Sequence, residues 1–481
     1  MVKFEPTWES LRNYRCPEWF RDAKFGIWAH WGPQSVPMAG DWYARNMYIE
    51  GHPQYEHHVK VYGHPSKFGY KDIVQLWKAE RFDPEALIDL YKSCGAKYFV
   101  SMGVHHDNFD LWNSKHHRWN AVNFGPKRDI VGEWARAARA AGLRFGVSEH
   151  LARSWSWFNT NKGCDKIGPY AGVPYDGNDP RYADFYFEPH EDTSPHYPKN
   201  PPEKWMRLWQ RRIMDLIDQY DPDLLYTDGG VPFGRIGLEL IAYFYNRNIE
   251  RRGGKLEAVY TLKNIPRDHG EYQEGIAVLD VERGMVGDIS PLPWQMDTCI
   301  GGWFYDTRRR YKTPEQVIRI LVDVVSKNGN LLLNIPQRPD GTLDEQAEWT
   351  VREIGRWLEV NGEAIYGTRP WRRFGEGPSA EPRAERISER EEMEFTCEDF
   401  RFTAKGDVIY AIALGRPDRE RGGWLIRSLA GERAEEVSLL GFGEVVWEMR
   451  PEGLWVACPD ELPCDYAWSI RIKLSSEGGG R

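Results

Sequence analysis

Residues 128–150, RDIVGEWARAARAAGLRFGVSEH, decide the fold class. The first fifteen place apolar side chains at helical spacing and stop at Gly142, the residue type that most readily closes a helix. The next eight, LRFGVSEH, are an apolar strand-like run ending in the polar triplet Ser148-Glu149-His150. A helix feeding a short apolar strand is the repeating unit of an α/β protein.

The same alternation extends in both directions. Strand-like runs occur at 24–30 (KFGIWAH), 96–106 (AKYFVSMGVHH), 223–230 (DLLYTDGG), 256–264 (LEAVYTLKN), 277–284 (AVLDVERG) and 330–336 (NLLLNIP). Helical patterns cover 84–95, about 201–220, about 234–251, 314–329 and about 344–360. Seven or eight strands over roughly 360 residues fit a TIM-like (β/α) barrel, here residues 1–368. No GxGxxG follows a strand, so a dinucleotide-binding sheet has no support. The polar, Gly-, Pro- and Glu-rich stretch 369–389 reads as a linker. Beyond it, 390–481 carries short alternating runs separated by turn signals, the pattern of a small antiparallel β-sandwich.

Composition narrows the function. Of 481 residues, 63 are Lys or Arg and 72 are Asp or Glu, a formal charge of −9 that lacks the basic field a nucleic-acid or anionic-lipid partner requires. No apolar window is long enough for a transmembrane helix. The N-terminal residues show no signal core, so the expectation is a cytoplasmic protein, or a secreted or periplasmic one whose leader lies outside this sequence. Seven scattered cysteines without CxxC spacing argue against a disulfide framework or a zinc ribbon. Trp is abundant, at 22, and all thirteen His lie at or before His269. Flat rings beside hydrogen-bonding heads suit a sugar, which has apolar faces and polar edges.

In a barrel, the active site lies where strands end. Those ends carry His30-Trp31-Gly32, His105-His106-Asp107, Ser148-Glu149-His150, Tyr226-Thr227-Asp228 and Asp280-Val281-Glu282-Arg283. Adjacent His105 and His106 are expected to splay apart on a strand, and no HxH or HExxH occurs, so neither a metal nor another cofactor is expected. No GxSxG elbow is present. A pair of carboxylates remains, Asp228 before Gly229-Gly230 and Glu282 beside Arg283. Taken alone, Asp228 equally suits a turn before glycine, and Glu282 a local salt bridge.

Longer motifs add to this reading. The segments 19–48 (WFRDAKFGIWAHWGPQSVPMAGDWYARNMY) and 96–147, then PDLLYTDGG, DVERG, PWQMDTCIGGWFY, SKNGNLLLNIPQRPDGTL and WLEVNGEAIYGTRPW, resemble in order the α-L-fucosidases of glycoside hydrolase family 29. The resemblance implies an exo-acting, retaining hydrolase that releases terminal α-L-fucose from a fucosylated oligosaccharide or glycoconjugate. It implies that Asp228 is the nucleophile and Glu282 the acid/base, with Glu149 a competing acid. His30, Asp41, Trp42, His105, His106, Glu149, Tyr226 and Trp294 are the implied sugar-binding residues. Asp41 stands where many members carry Glu, and Ser148-Glu149-His150 where many carry Tyr-Tyr-Ser. An Arg that many members use near the acid/base has no counterpart in these motifs. Other readings are an α-L-galactosidase or related L-sugar glycosidase, and a non-catalytic sugar-binding barrel.

Overall fold

The apolar runs form eight parallel strands: β1 (Phe25–Ala29), β2 (Tyr98–Val104), β3 (Arg144–Glu149), β4 (Leu224–Thr227), β5 (Val259–Lys263), β6 (Val278–Asp280), β7 (Trp294–Cys299) and β8 (Gly329–Asn334). They pair in chain order, and β8 returns to β1, with Phe25 opposite Leu331, to close a barrel. Six of the eight are buried at every residue, because helices cover the outside while side chains fill the inside. The structure is a computed structural model that describes residues 3–265, 270–382, 386–389, 394–417 and 422–475.

The helices begin and end where their caps dictate. Asp129 accepts the Gly132 N–H to start Ile130–Ala140, and Gly142, at φ 78°, closes it. Thr313 and Gln316 form a reciprocal capping box at the start of Pro314–Ser326. Two long excursions leave the barrel at its C-terminal face, one between β1 and β2 and one between β3 and the helix Glu203–Tyr220. Among the described residues, no helix separates β5 from β6 or β6 from β7, so the barrel is irregular on that side. No described helix is long and apolar enough to cross a membrane.

The C-terminal part is antiparallel. One sheet runs, in spatial order, Arg369–Glu376, Phe400–Lys405, Val408–Ala413, Trp468–Leu474, Ala434–Leu439 and Gly443–Glu444; the other is Gly423–Ile426, Gly453–Ala457 and Trp447–Arg450. Phe400, Phe402, Trp424, Trp468 and Ile470 fill the space between them. The stretch expected to be a linker therefore supplies an edge strand, Arg369–Glu376. Its exposed arginines mask it in sequence, and charged side chains are usual on edges. The pair Ile387–Ser388 also bonds back to the barrel, antiparallel to Gly284–Met285. Buried Arg401, in the sheet, donates to Asp323 of the helix Pro314–Ser326 at 2.7 Å and ties the two parts together.

Candidate active site

At the C-terminal ends of the strands a cavity of about 100 Å³ is lined by aromatic, imidazole and carboxyl side chains. Its floor is Trp28, on β1, whose ring meets those of His30, Tyr226 and Trp303 at centroid distances of 4.9–5.4 Å. Asp228 follows the last residue of β4 and enters the cavity. Lys263, the last residue of β5, donates to Asp228 Oδ1 at 2.7 Å and to Glu282 Oε2 at 2.6 Å. The two bound oxygens are thus at most about 5.3 Å apart. Arg153 Nη1 lies 3.2 Å from Asp228 Oδ2, and His106 and His150 approach that oxygen at 3.4 and 3.5 Å.

These contacts set the charge states. Burial alone would raise the Asp228 pKa, but Arg153 and Lys263 outweigh it and hold the carboxyl well below the usual range. For Lys263, burial opposes the charge, and Asp228, Asp297 and Glu282 overcome it, so the ammonium is held well above its usual range. Deeper in the barrel, burial and the neighbouring Asp297 push Asp280 well above the carboxylate range, and burial pushes Asp297 up to about 6. Gln295 donates to Asp280 at 2.8 Å, and the Tyr226 hydroxyl donates to Asp297 at 3.0 Å. Asp41, which accepts the Trp42 N–H at 2.8 Å, is pushed up to about 7 by burial.

Four histidines complete the wall. Burial holds His30 and His105 well below the imidazole range, lowers His150 and brings His106 to about 4, so all four are neutral near pH 7. The Gln34 carboxamide accepts the Ala44 N–H, which aims its NH₂ at His105 Nδ1, 2.7 Å away. The His105 proton is therefore on Nε2, the atom 3.9 Å from Asp41. His106 donates from Nδ1 to the His150 carbonyl at 2.6 Å, which leaves Nε2 as an acceptor facing Asp228. The adjacent pair does not splay apart as expected. The β2–β3 register shifts between Met102 and Val104, the chain turns out of the strand, and both rings enter the cavity with centroids 4.4 Å apart.

Of the residues singled out in sequence, the structure brings His30, Asp41, Trp42, His105, His106, Tyr226, Asp228 and Glu282 together around this cavity. Two it does not. Glu149 points away from the barrel interior, accepting from Thr227 Oγ1 at 2.8 Å, Trp209 Nε1 at 3.1 Å and the Leu151 N–H at 2.9 Å. Alternation along β3 sends Ser148 inward and Glu149 outward, and His150, just past the strand, turns back in. Trp294 opens β7 at the opposite end of the barrel, opposite Gly329, and donates to the Lys327 carbonyl. The indole that reaches the cavity from this segment is Trp303, beyond the end of β7. Trp28, His150, Arg153, Lys263, Asp297 and Trp303 were missing from the expected set. Lys263 and Trp303 each sit at or just past a strand end, so the rule that found Asp228 could have found them, and His150 already stood in one of the strand-end triplets. The cation that meets Glu282 is Lys263.

Among the described residues, two trios present donor atoms within 4.8 Å of one another and could hold a metal ion: His30, His105 and His150, and His106, His150 and Asp228. In the first, the bond from Gln34 leaves His105 offering a proton rather than a lone pair. In the second, Arg153 and Lys263 already neutralise the carboxylate.

A closed parallel barrel with a small, aromatic-walled cavity at its C-terminal end, lined by four acids of which Asp228 and Glu282 share one ammonium, has the equipment of a glycoside hydrolase. Comparison with known proteins gives the particular family. Residues 1–363 match the family described as alpha-L-fucosidase, and 393–473 match the alpha-L-fucosidase C-terminal domain. Human plasma alpha-L-fucosidase is 30% identical over 496 residues, spanning 98% of this chain and 92% of that protein. Human tissue alpha-L-fucosidase is 28% identical, with coverage of 98% and 92%. The Thermotoga maritima alpha-fucosidase solved in complex with fucose superposes with a TM-score of 0.75 at 29% identity, covering 98% of this chain and 100% of that one. The chain belongs to the α-L-fucosidase family, glycoside hydrolases that release α-L-fucose from fucosylated glycans.

Proposed function

We propose that the chain hydrolyses terminal α-L-fucosides with retention, by double displacement at Asp228 and Glu282. The observation that carries this reading is Lys263, which bonds both carboxylates at once and keeps their bound oxygens within about 5.3 Å. Retaining enzymes hold their two carboxyl groups close, about 5–5.5 Å apart, whereas inverting ones hold them about 6.5–9.5 Å apart to admit a water; two acids bridged by one ammonium favour the closer arrangement. Asp228 attacks the anomeric carbon, and its carboxylate, kept ionised by Arg153 and Lys263, is ready to do so. Glu282 gives a proton to the glycosidic oxygen, so that the aglycone leaves as an alcohol. It then takes a proton from the water that cleaves the ester to Asp228.

The neutral imidazoles position the sugar. His105 Nε2–H donates to a ring hydroxyl, and His106 Nε2 accepts from one. Asp41 accepts from a hydroxyl beside His105, and Trp42 and Trp303 supply apolar faces. Each such contact raises the rate to the extent that it strengthens as the ring flattens toward an oxocarbenium ion. The test is a pair of variants assayed on an activated aryl α-L-fucoside. Asp228→Gly loses about three or more decades in kcat, as removal of a covalent nucleophile should. Glu282→Ala retains glycosylation of the good leaving group and regains turnover with added azide. Near-normal turnover in the first variant, or azide rescue seen in Glu149→Ala in place of Glu282→Ala, refutes the assignment.

A further inference from the structure

Glu282 stands on a turn that the barrel does not hold alone. The residue after it, Arg283, has φ 49°, a left-handed conformation that costs a non-glycine residue about 1 kcal/mol or more. On one side the turn is pinned to β7, because the Arg283 N–H donates to the Asp297 carbonyl at 2.9 Å and the Val281 N–H to Gln295 at 2.8 Å. On the other side it is pinned by a segment more than a hundred residues later. Ile387 and Ser388 pair antiparallel with Met285 and Gly284, and the Glu389 N–H donates to the Arg283 carbonyl at 3.0 Å.

The Glu389 side chain then enters the barrel wall. It accepts from Arg283 Nε at 2.5 Å and from Thr298 Oγ1, and it lies 3.3 Å from Lys312 Nζ, with 1% of its side chain exposed. Burial alone would raise its pKa, but Lys312, Thr298 and Arg283 prevail and hold the carboxyl below the usual range. Thr298 neighbours Asp297, which lines the cavity. One buried carboxylate thus ties the back of the Glu282 turn to the strand next to it. Arg283 carries the tie outward, while Glu282 faces the cavity.

We propose that Glu389, on the connection between the edge strand Arg369–Glu376 and the strand Phe400–Lys405, is a positioning residue for Glu282: it fixes the turn that aims the acid/base at the glycosidic oxygen. The proposal rests on the reading of Glu282 as the acid/base. Displacing a catalytic group by about 1 Å costs up to about 100-fold. The loss falls on the step that needs a proton delivered.

The experiment measures kcat/KM, which reports glycosylation, for wild type, Glu389→Gln and Glu389→Ala. One substrate is a dinitrophenyl α-L-fucoside, whose leaving group needs no protonation. The other is a fucosyl disaccharide, whose leaving group does. In Glu389→Ala the disaccharide rate falls about 10- to 100-fold and the dinitrophenyl rate by less than about 2-fold. Glu389→Gln, which keeps the shape and a carbonyl acceptor, recovers part of the difference. The ratio of the two rates does not depend on how much enzyme is folded, so a partly unstable variant still reports. If Ala does not fold at all, Gln reads the same ratio. Equal losses on both substrates, or no loss on either, overturn the proposal. Glu282→Ala is the control: a leaving-group dependence there but not at Glu389 sinks only this inference, and none at Glu282 sinks the acid/base assignment itself.

Discussion

Replacing Lys263 with Met tests the electrostatic core of the site. The substitution keeps the length of the side chain and removes the charge that Asp228 and Glu282 share. At an effective dielectric of about 20, unit charges 2.7 Å apart attract by about 6 kcal/mol. Desolvation of the ammonium and the remaining pull of Arg153, 3.2 Å away, return most of this on removal. The net effect of one opposite charge at such range is to lower a carboxyl by about 1–3 pH units. The sign is fixed: Lys263 favours ionised Asp228, so its loss raises the Asp228 pKa, and attack requires the ionised form. In the wild type Asp228 lies well below the usual range and stays ionised through the working pH. In Lys263→Met the acid limb of kcat/KM on an aryl α-L-fucoside moves up by about 1–3 pH units. Lys263→Arg restores the wild-type limb. An acid limb in Lys263→Met that superimposes on the wild type, or one that Lys263→Arg shifts equally, refutes the reasoning.

Asp41, pushed up to about 7, changes charge near neutrality. As pH rises from 6 to 8 it loses its proton and becomes a stronger acceptor for a sugar hydroxyl, so KM for the fucoside falls; in Asp41→Asn that step disappears, and its persistence would show that another group titrates. Arg212 is fully buried, donating to Asp110 at 2.5 and 3.1 Å and to Asn108 at 2.6 Å, just beyond the His105-His106 corner. Arg212→Met strands Asp110 and lowers the unfolding free energy by about 3–5 kcal/mol in a denaturant titration; a change under about 1 kcal/mol would mean that the pair contributes little.

Asp41 and Trp42, on the excursion after β1, were legible only through the family resemblance, but most of the other residues located in sequence lie at strand ends, and barrel closure delivers every strand end to one face. His30, His105, His106, Asp228 and Glu282 were legible for that reason. Phase was harder to read. Glu149 and His150 are neighbours, and a one-residue shift exchanges the residue that faces the cavity for the one that faces the helices. Choosing between Trp294 and Trp303 required knowing that β7 runs from Trp294 to Cys299, so that the first indole marks its beginning and the second lies past its end. Lys263 ends an apolar run in a way that also suits an exposed, snorkelling lysine. Only the closed barrel sets it between two carboxylates contributed by other segments. Glu389 has no local signal at all. Its partners, Arg283, Thr298 and Lys312, come from three other stretches of chain.

The balance of charge around Lys263 shows why so many acids can share one site. Asp228, Glu282, Asp280 and Asp297 surround two cations, Lys263 and Arg153. If all four acids were ionised, two negative charges would remain uncompensated beside Lys263, whose Nζ also lies 3.7 Å from Asp297 Oδ2. Burial and the neighbouring Asp297 push Asp280 well above the carboxylate range, so it keeps its proton, because two carboxylates side by side cannot both ionise away from water. With one negative charge removed below, the ammonium stays at the cavity and Asp228 keeps its countercharge. Glu282 is differently placed: its side chain is 38% exposed, against 9% for Asp228. It can leave Lys263, take a proton at the mouth and turn to the leaving oxygen. Asp228, held by Lys263 and Arg153 and faced by two imidazoles, stays where it is. On the proposed mechanism, the acid that must stay charged is held by two cations, and the acid that must exchange protons has a path to water.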